Sequence, residues 1–454
     1  MRILVSIVFA YALLATSTSP AQDELVQLVL TLLEDEDKEV RALAFEQIRT
    51  DAPGAEATKV FADQLPQLPV DAQVGLLSAL ADRGDPAARP QVVTQLDNSD
   101  SESVRAAAIE ALGKLGDAAE IPRLLPLLTT ASDRERSAVR QSLIHLSGDA
   151  VSPALAARIA ATSPAQGVAI IEILTRRRAV DTIPELLAAA QGPDAVIRSA
   201  AMQALGELAS PNDVAGMVGG VLKAAAGSER AAAEKAVMFV CQRSEDDENR
   251  AAPVLAAMES LTPTQRREMY STVGRIGGAA ARTVVERAIA DTDQAVRDAG
   301  IQALCNWPDS SVESRLLQLA RTAKTPQHRK MALRALIRVA PLADERDDQH
   351  RLDVLRTAHV MCESSAEKRF VLQRASAIRT VDSLRFLTPF IDQPEFRENA
   401  CEAIVELAHH RDLREPNKPE FDKVLDKILS VSTDATTRDR AQRYKKDQTW
   451  VRPK

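Results

Sequence analysis

Histidines are the residues of this chain best suited to bind a metal ion, and their spacing does not support that role. His409 and His410 are the one adjacent pair among six histidines. Consecutive residues on a helix point in different directions, so these two cannot form the i, i+4 pair typical of a helical zinc site. We therefore predict no metal and no other cofactor.

The four cysteines form no CxxC pair and lie beside apolar residues, in stretches such as AVMFVCQ and IQALCNW. A thiol in such a position behaves as a small hydrophobic group. Neighbouring helix axes lie about 8 to 10 Å apart, whereas a disulfide needs Cα atoms closer than about 7 Å. The pattern therefore favours buried free thiols over disulfides for Cys241, Cys305, Cys362 and Cys401.

No common catalytic motif occurs in the sequence: HExxH, GxSxG, GxxxxGK[ST] and GxGxxG are all missing. The stretch 291–300 begins like a calcium-binding loop but lacks an acid at Ala295 and the glycine that should follow it. The acidic runs at 34–39, 244–249 and 344–348 share no ligand spacing and are typical of solvated loops. We therefore predict that the protein is not an enzyme.

One amphipathic helix recurs along the chain, in the stretches 101–117, 193–210 and 292–309. In each, an arginine follows a branched apolar residue, a small residue stands three positions later and a leucine seven positions later. We name this the template helix. Its starts recur about every 33 residues, within the range of helical repeat arrays. The starts are Arg41, Gln73, Arg105, Arg136, Gln166, Arg198, Arg230, Arg266, Arg297, Arg329, Arg369, Arg397 and Arg438.

Shorter apolar stretches with a proline near their start lie between the template helices, as at 120–130 and 182–191. Proline is tolerated in a first helical turn, so each repeat is predicted to be two antiparallel helices. Aromatic residues are 3% of the chain, which suits closely packed helices. No single pair can bury its apolar face alone. The predicted fold is therefore all-α, an α-α superhelix of about 12 two-helix repeats.

The repeated arginine lies in the first turn of its helix, where the helix dipole disfavours a positive charge. We expect it to pair with an aspartate just before its own or an adjacent template helix, forming a ladder of Asp and Arg side chains. The alternative is a solvated arginine whose stem covers apolar surface. The small residue at +3 should let successive template helices approach closely. The arginines assigned this structural role are Arg41, Arg105, Arg198, Arg297, Arg329 and Arg397.

The strings SVRAAAIEALGKLGDAAEIPRLLPLL and VIRSAAMQALGELASPNDV resemble bacterial HEAT-like repeats, a class that is also found in phycobilin-lyase proteins. The resemblance covers nearly the whole chain after its first residues and implies an α-solenoid that binds other macromolecules. Lyase activity is not implied, since no functional residue of a lyase maps onto this chain. Tetratricopeptide repeats are the nearest rival, but their Trp, Tyr and Phe positions are missing here.

The first residues, 1–21, are predicted to be a signal peptide. Arg2 precedes an apolar run of 13 residues, shorter than the roughly 20 residues that span a bilayer, and small residues stand at Ser19 and Ala21. An uncleaved anchor is the alternative. No later segment is apolar enough to cross a membrane, so we expect an exported protein, periplasmic or extracellular, with no transmembrane segment once the signal is removed.

The solenoid is assigned to residues 22–437 and a basic tail to 438–454. The tail has a net charge of +5, whereas residues 23–56 have a net charge of -7. Opposite charges at the two ends can reflect the polar faces of terminal repeats, or they can serve head-to-tail contact or binding to an anionic surface. The tail residues that could make such contacts are Arg443, Tyr444, Lys445, Lys446 and Trp450.

The whole chain has a net charge of -7, so it lacks the excess of Lys and Arg that attracts nucleic acid. The sequence favours an exported, non-catalytic scaffold or adaptor that binds a protein partner through an extended solenoid surface. Two alternatives remain: an enzyme or enzyme subunit whose site is dispersed over the repeat groove, and an envelope-associated component that uses its basic tail.

Overall fold

A computed structural model describes the backbone of residues 20–51 and 54–450, with side chains from residue 24 onward. The predicted signal peptide therefore lies outside the described residues, apart from its last two positions. Two compact units make up the chain: unit 1 consists of Met1–Ala209 and Gly219–Ala236, and unit 2 of Ser210–Val218 and Val237–Lys454. Every regular element in 20–51 and 54–450 is helical.

The α-helices up to residue 241 are α1 (Pro20–Leu33), α2 (Lys38–Thr50), α3 (Ala55–Ala62), α4 (Val70–Arg83), α5 (Arg89–Asn98), α6 (Glu102–Leu115), α7 (Ile121–Leu124), α8 (Leu127–Thr130), α9 (Asp133–His145), α10 (Val151–Ala156), α11 (Pro164–Arg177), α12 (Ile183–Ala190), α13 (Ala195–Leu208), α14 (Val214–Lys223) and α15 (Ser228–Cys241). The later ones are α16 (Ala252–Glu259), α17 (Pro263–Ile276), α18 (Ala279–Ile289), α19 (Gln294–Cys305), α20 (Glu313–Thr322), α21 (Pro326–Val339), α22 (Asp348–Met361), α23 (Ser365–Ala375), α24 (Val381–Leu387), α25 (Arg397–His409), α26 (Arg411–Arg414), α27 (Lys418–Val431) and α28 (Ala435–Lys445).

Short 3-10 turns join many of these helices: Leu65–Gln67, Pro86–Ala88, Ala118–Glu120, Ile159–Ala161, Val180–Thr182, Pro211–Asp213, Ser310–Val312, Thr388–Asp392 and Glu415–Asn417. Each unit is a stretch of α-α superhelix, as predicted. Within unit 1, template helix α4 packs between α2 and α6, and α6 packs on α9. Within unit 2, α17, α19, α21, α23, α25 and α28 pack each on the next.

All 13 predicted template starts lie near the beginning of a helix, from Arg41 in α2 to Arg438 in α28. Aspartates or serines cap several of the template helices. The side chains of Asp194 and Asp293 accept hydrogen bonds from backbone N–H groups of the first turns of α13 and α19. Asp100 and Asp133 are each one position away from the N-cap, which is Ser101 for α6 and Ser132 for α9.

Close approach between template helices depends on a glycine that the template did not include, eight positions after its start. A Cβ at Gly113 would lie 2.7 Å from the Cα of Ser142 in α9, and one at Gly274 would lie 2.2 Å from the carbonyl oxygen of Ala303 in α19. Gly300, at the predicted +3 position, instead faces α18, where a Cβ would lie 2.8 Å from the backbone nitrogen of Ile289. In α19 the +3 residue therefore packs against the preceding helix rather than the next repeat.

The stretch 120–130 departs from a single helix at its second proline. Pro122 lies in the first turn of α7, where a missing N–H costs no hydrogen bond. Pro126 ends that helix after one turn and is followed by α8, because a proline in a helix interior removes a hydrogen bond and clashes with the preceding turn. No helix in the described part of the chain has the length and apolar character needed to span a membrane.

Candidate functional site

The six arginines that were assigned a structural role in the repeats, here called the seam arginines, share one contact. Each donates a hydrogen bond to the carbonyl oxygen six residues earlier. Those carbonyls lie at or just beyond the end of the preceding helix and carry the partial negative charge of a helix C-terminus. This partial negative charge explains why an arginine is stable in the first turn of its helix. The six donor and acceptor pairs are Arg41 to Asp35, Arg105 to Ser99, Arg198 to Gly192, Arg297 to Asp291, Arg329 to Ala323 and Arg397 to Ile391.

Three of these arginines also bind an acid in the next template helix. Arg41 donates to Asp71 at 2.9 Å, Arg105 to Glu135 at 2.7 Å, and Arg198 to Glu229 at 2.9 and 3.2 Å. The acids lie in or near the first turn of their own helices, where a negative charge is favourable.

The expected ladder of aspartates before the template helices is therefore wrong in its partners for these six arginines, whereas the template arginine Arg136 does pair with Asp133 of its own helix. Asp194 and Asp293 use their carboxylates to cap their own helices, so backbone carbonyls and first-turn acids take their place.

A second arginine position, missed by the template, links four of the repeats to the repeat before. Arg83, Arg177 and Arg338 lie in the last turns of α4, α11 and α21 and donate to carbonyls 31 to 35 residues earlier, at the end of the previous template helix. Arg374 in α23 does the same to the carbonyl of Arg338 at 3.1 Å. A basic residue in the last turn was the sequence signal for these links.

The exposed face of the template helices in unit 1 carries charges that pair with one another. Asp82 in α4 accepts hydrogen bonds from Lys114 in α6 at 2.6 Å and from Arg49 in α2 at 3.0 Å. The hydrogen bond from Lys114, followed by that from Arg49, holds the pKa of Asp82 below its ordinary value. Three consecutive template helices thus neutralise their own charges across this face.

The corresponding face in unit 2 differs, because α21 contains four basic residues and no acid. Lys330, Arg334 and Arg338 follow one another at intervals of four residues and so lie on one face of α21. Arg374 is bonded to the end of the same helix. We name Lys330, Arg334, Arg338 and Arg374 the basic strip. Within 20–51 and 54–450, no carboxylate oxygen lies within 4.0 Å of a side-chain nitrogen of any of the four, whereas Arg41, Arg105 and Arg198 of unit 1 each pair with one.

Electrostatics within the basic strip are unfavourable. Burial is the main cause that lowers the pKa of Arg338; Arg374 and Arg275 lower it further, whereas Cys305 and Asp309 raise it. Burial also lowers the pKa of Arg374, whose Nε atom is buried without a hydrogen-bond partner. Lys330 and Arg334 are exposed. The strip is therefore a concentration of positive charge without an ion-pair partner among the described residues.

Acids close to the strip are committed to other contacts. Glu367 caps α23 through its capping box with Ser364, and Asp309 accepts from the backbone N–H of Ser311. Asp298 on α19 lies 3.3 Å from the Nε2 atom of His328. The sequence signal for the strip was the run PQHRKMALRALIRV, which contains four Lys or Arg residues and no acid.

The tail candidates lie against unit 2. Tyr444 is 2% exposed, and its ring lies 5.5 Å from the guanidinium carbon of Arg414 and 5.7 Å from that of Arg440. The indole N–H of Trp450 donates to Asp439 at 3.1 Å, and the Arg443 side chain also donates to Asp439.

Lys445 pairs with Asp426, whereas Lys446 is exposed. Residues up to 445 belong to α28, so the first half of the predicted tail is a packed helix.

Neither the thiols nor the histidines form a reactive cluster. All four cysteines are free and buried, as predicted, and burial raises the pKa of Cys241 and Cys305 to about 12. His409 contacts the hydroxyl of Tyr444 through Nδ1 at 3.0 Å. A search of the described residues for groups of three or more His, Cys, Asp or Glu able to hold a metal ion found none.

Comparison with known proteins supports the repeat assignment. Residues 58–144 match the family model of HEAT repeats. The structure is also similar to crystal structures of Kap121p bound to Ste12p and of the karyopherin Kap121p bound to the SUMO protease Ulp1p, each with a TM-score of 0.50 and 13% sequence identity. Each match covers 93% of this chain and 53% of the other, so the chain spans about half the length of these structures. At this identity the likeness shows the fold alone. No curated protein sequence matches the chain.

Proposed function

We propose that this protein is an exported, non-catalytic scaffold or adaptor that binds a protein partner through the exposed face of its template helices in unit 2. The observation that carries the proposal is the basic strip, whose four charges have no carboxylate partner in the described chain, while Arg49, Asp82 and Lys114 on template helices α2, α4 and α6 of unit 1 pair with one another. A charged surface left unpaired on a rigid helical support is typical of a recognition surface.

The similar structures support this choice of partner class. Kap121p is described in complex with the proteins Ste12p and Ulp1p, and this chain has the same type of fold. The tail residues instead contact unit 2 itself, which favours a structural role for them. No observation favours a catalytic site dispersed over the repeats.

Site-specific photo-crosslinking in intact cells tests the binding face. A photoreactive amino acid placed at Gln302, exposed on template helix α19, should capture a protein neighbour that mass spectrometry can identify. The matched control is Ser314, exposed on α20, which precedes the next template helix. Equal capture from both positions, or capture from neither, would contradict the proposed face.

Export rests on the predicted signal peptide and is tested separately. The protein recovered from the periplasm or the medium should begin at Gln22 when its N-terminus is sequenced. Recovery of a chain that retains residues 1–21 in the soluble cell interior would exclude export.

A further inference from the structure

The two partly buried guanidinium groups of the basic strip, those of Arg338 and Arg374, are held in place by backbone carbonyls. Arg338 donates through Nη2 to the carbonyls of Trp307 at 2.5 Å and Cys305 at 3.2 Å, and Arg374 donates through Nη2 to the carbonyl of Arg338. The Nη1 atom of neither arginine makes a hydrogen bond to the described residues. A fixed guanidinium with one edge unused is suited to a carboxylate, because its planar fork matches the two oxygens of that group.

The exposed members of the strip extend this arrangement along α21. Lys330, Arg334 and Arg338 are separated by four residues each, so the row is about 12 Å long from the first Cα to the last. Like charges at this spacing on one helix repel one another. A ligand that places an anion opposite each of them would remove the repulsion, so the row favours a ligand with several anions over a single small ion.

An acidic protein segment has the matching spacing. Alternate residues of an extended chain lie about 7 Å apart on one side, so three alternating acids cover about 13 Å. Acids four residues apart on a helix are about 6 Å apart and fit equally well. Either arrangement would bring one carboxylate to each basic side chain of the row on α21.

A long polyanion is disfavoured by the surface on which the strip lies. The next template helix after α23 is α25, which exposes Glu402 and also Glu406, the latter paired with Arg440. A nucleic acid or an anionic membrane extending beyond the strip would meet these carboxylates, and the whole chain carries a net charge of -7. A short segment of a partner protein touches the strip and avoids them.

We propose that the basic strip, Lys330, Arg334, Arg338 and Arg374, binds an acidic segment of a partner protein whose carboxylates are about 6 to 7 Å apart. The inference rests on the proposed function and adds to it the chemistry that the partner must present. The binding site lies on α21 and the end of α23, with Arg338 and Arg374 as preset carboxylate receptors and Lys330 and Arg334 as exposed contacts.

A fluorescence anisotropy titration tests the proposal with the full chain. The probe is a labelled peptide of about 15 residues, about 50 Å long when extended, with Glu at alternate positions and Ser between them. A second probe places Glu at every fourth position of an alanine-rich helix, and a peptide with Gln in place of Glu is the uncharged reference. We expect at least one Glu peptide to bind and the Gln peptide to bind at least about tenfold more weakly.

The decisive variant is the double substitution Lys330→Glu and Arg334→Glu, because both side chains are exposed and hydrogen-bond to no described residue, so the helix should persist. It should weaken peptide binding by at least about tenfold. The matched control is Arg287→Glu with Arg321→Glu, the same charge change at exposed positions of α18 and α20, which should stay within about twofold of the parent. Equal losses in the two variants would overturn the proposal.

Other anions provide the remaining comparison. A single-stranded oligothymidylate and vesicles containing phosphatidylglycerol should bind more weakly than the better Glu peptide at the same salt concentration. Stronger binding of either one, lost in the Lys330 and Arg334 variant, would assign the strip to a nucleic acid or a membrane and overturn the proposal. If the cellular partner captured from Gln302 still crosslinks to that variant, the scaffold function stands and the acidic-segment proposal fails.

Discussion

Gly113 of α6 lies so close to Ser142 of α9 that a Cβ on the glycine would be 2.7 Å from the Cα of Ser142. The Ser142 hydroxyl, itself buried, donates a hydrogen bond of 2.6 Å to the carbonyl of Ile109, one turn before Gly113. The glycine therefore sets how closely two successive template helices pack, and it makes possible a hydrogen bond from the Ser142 side chain to the backbone of α6.

Replacing Gly113 with alanine should destabilise the protein by about 1 to 3 kcal/mol, because two backbones would have to separate. This cost exceeds the helix-propensity gain of about 1 kcal/mol that alanine brings. The matched control is Gly219→Ala, where the new Cβ would meet the flexible end of the exposed Gln191 side chain. Chemical denaturation monitored by circular dichroism measures the free energy of unfolding of both variants. An undiminished value for the Gly113 variant would show that this contact does not set the spacing of α6 and α9.

The Arg198 and Glu229 pair should contribute strongly to unit 1. Arg198 is 8% exposed and binds both Glu229 oxygens as well as the carbonyls of Gly192 and Pro193. Arg198→Met should cost about 3 kcal/mol, because it removes two charge-assisted hydrogen bonds from the partly buried Glu229 carboxylate, which keeps the one from the backbone N–H of Ala225. Adding Glu229→Gln should recover part of that loss. An unchanged denaturation midpoint for Arg198→Met would show that the contacts of this arginine do not stabilise the protein.

Arg297 supplies the comparison for that variant, because it bonds to backbone carbonyls and is only partly buried. Arg297→Met should cost about 1 kcal/mol, the contribution of ordinary hydrogen bonds. A loss as large as that of Arg198→Met would mean that the carbonyl contacts, and not the acid, dominate the seam.

Stability should also depend on pH through Glu229. The hydrogen bond from Arg198 is the main cause that holds the pKa of Glu229 below its ordinary value of 4.5. A carboxyl whose pKa is lower in the folded state stabilises the fold above its unfolded pKa, and this stabilisation is lost as the pH falls through the folded pKa.

The wild-type protein should therefore lose stability relative to Glu229→Gln as the pH falls below about 4.5. Urea denaturation of both proteins between neutral and acidic pH measures the difference. A difference that does not change with pH would show that Glu229 has the same pKa in the folded and unfolded chains.

Tyr444 should anchor the C-terminal helix to unit 2. Its ring is buried between Arg414 and Arg440, and removing it leaves a cavity and takes from Arg414 its contact with an aromatic ring. Tyr444→Ala should destabilise the protein by about 3 kcal/mol. Lys446→Ala, at an exposed position two residues later, should change stability by less than about 0.5 kcal/mol. Thermal unfolding measures the melting temperatures of both variants. Equal melting temperatures would show that Tyr444 does not anchor the C-terminal helix.

The helices of this protein could be located from the sequence, because the signals are local. An apolar period and a capping residue act within a few residues of one another, so all 13 template starts from Arg41 to Arg438 fall in helices. The thiols could also be predicted, since helix spacing excludes most disulfides. The glycines at +8 were not predicted, because the template was defined by side chains that fill space. A glycine acts through its missing side chain, which allows the neighbouring helix to approach.

The partners of the charged residues were decided by the tertiary structure. Arg338 reaches carbonyls 31 and 33 residues earlier, and no local pattern states which helix end will lie within its reach. The same holds for the difference between Asp82, which binds two cations, and Arg334, which lacks an ion-pair partner in the described chain. The sequence determined the helices and the repeat, because both depend on neighbours along the chain. Only packing decided which charges are neutralised and which remain exposed for a partner, because that depends on distances between residues about 30 positions apart.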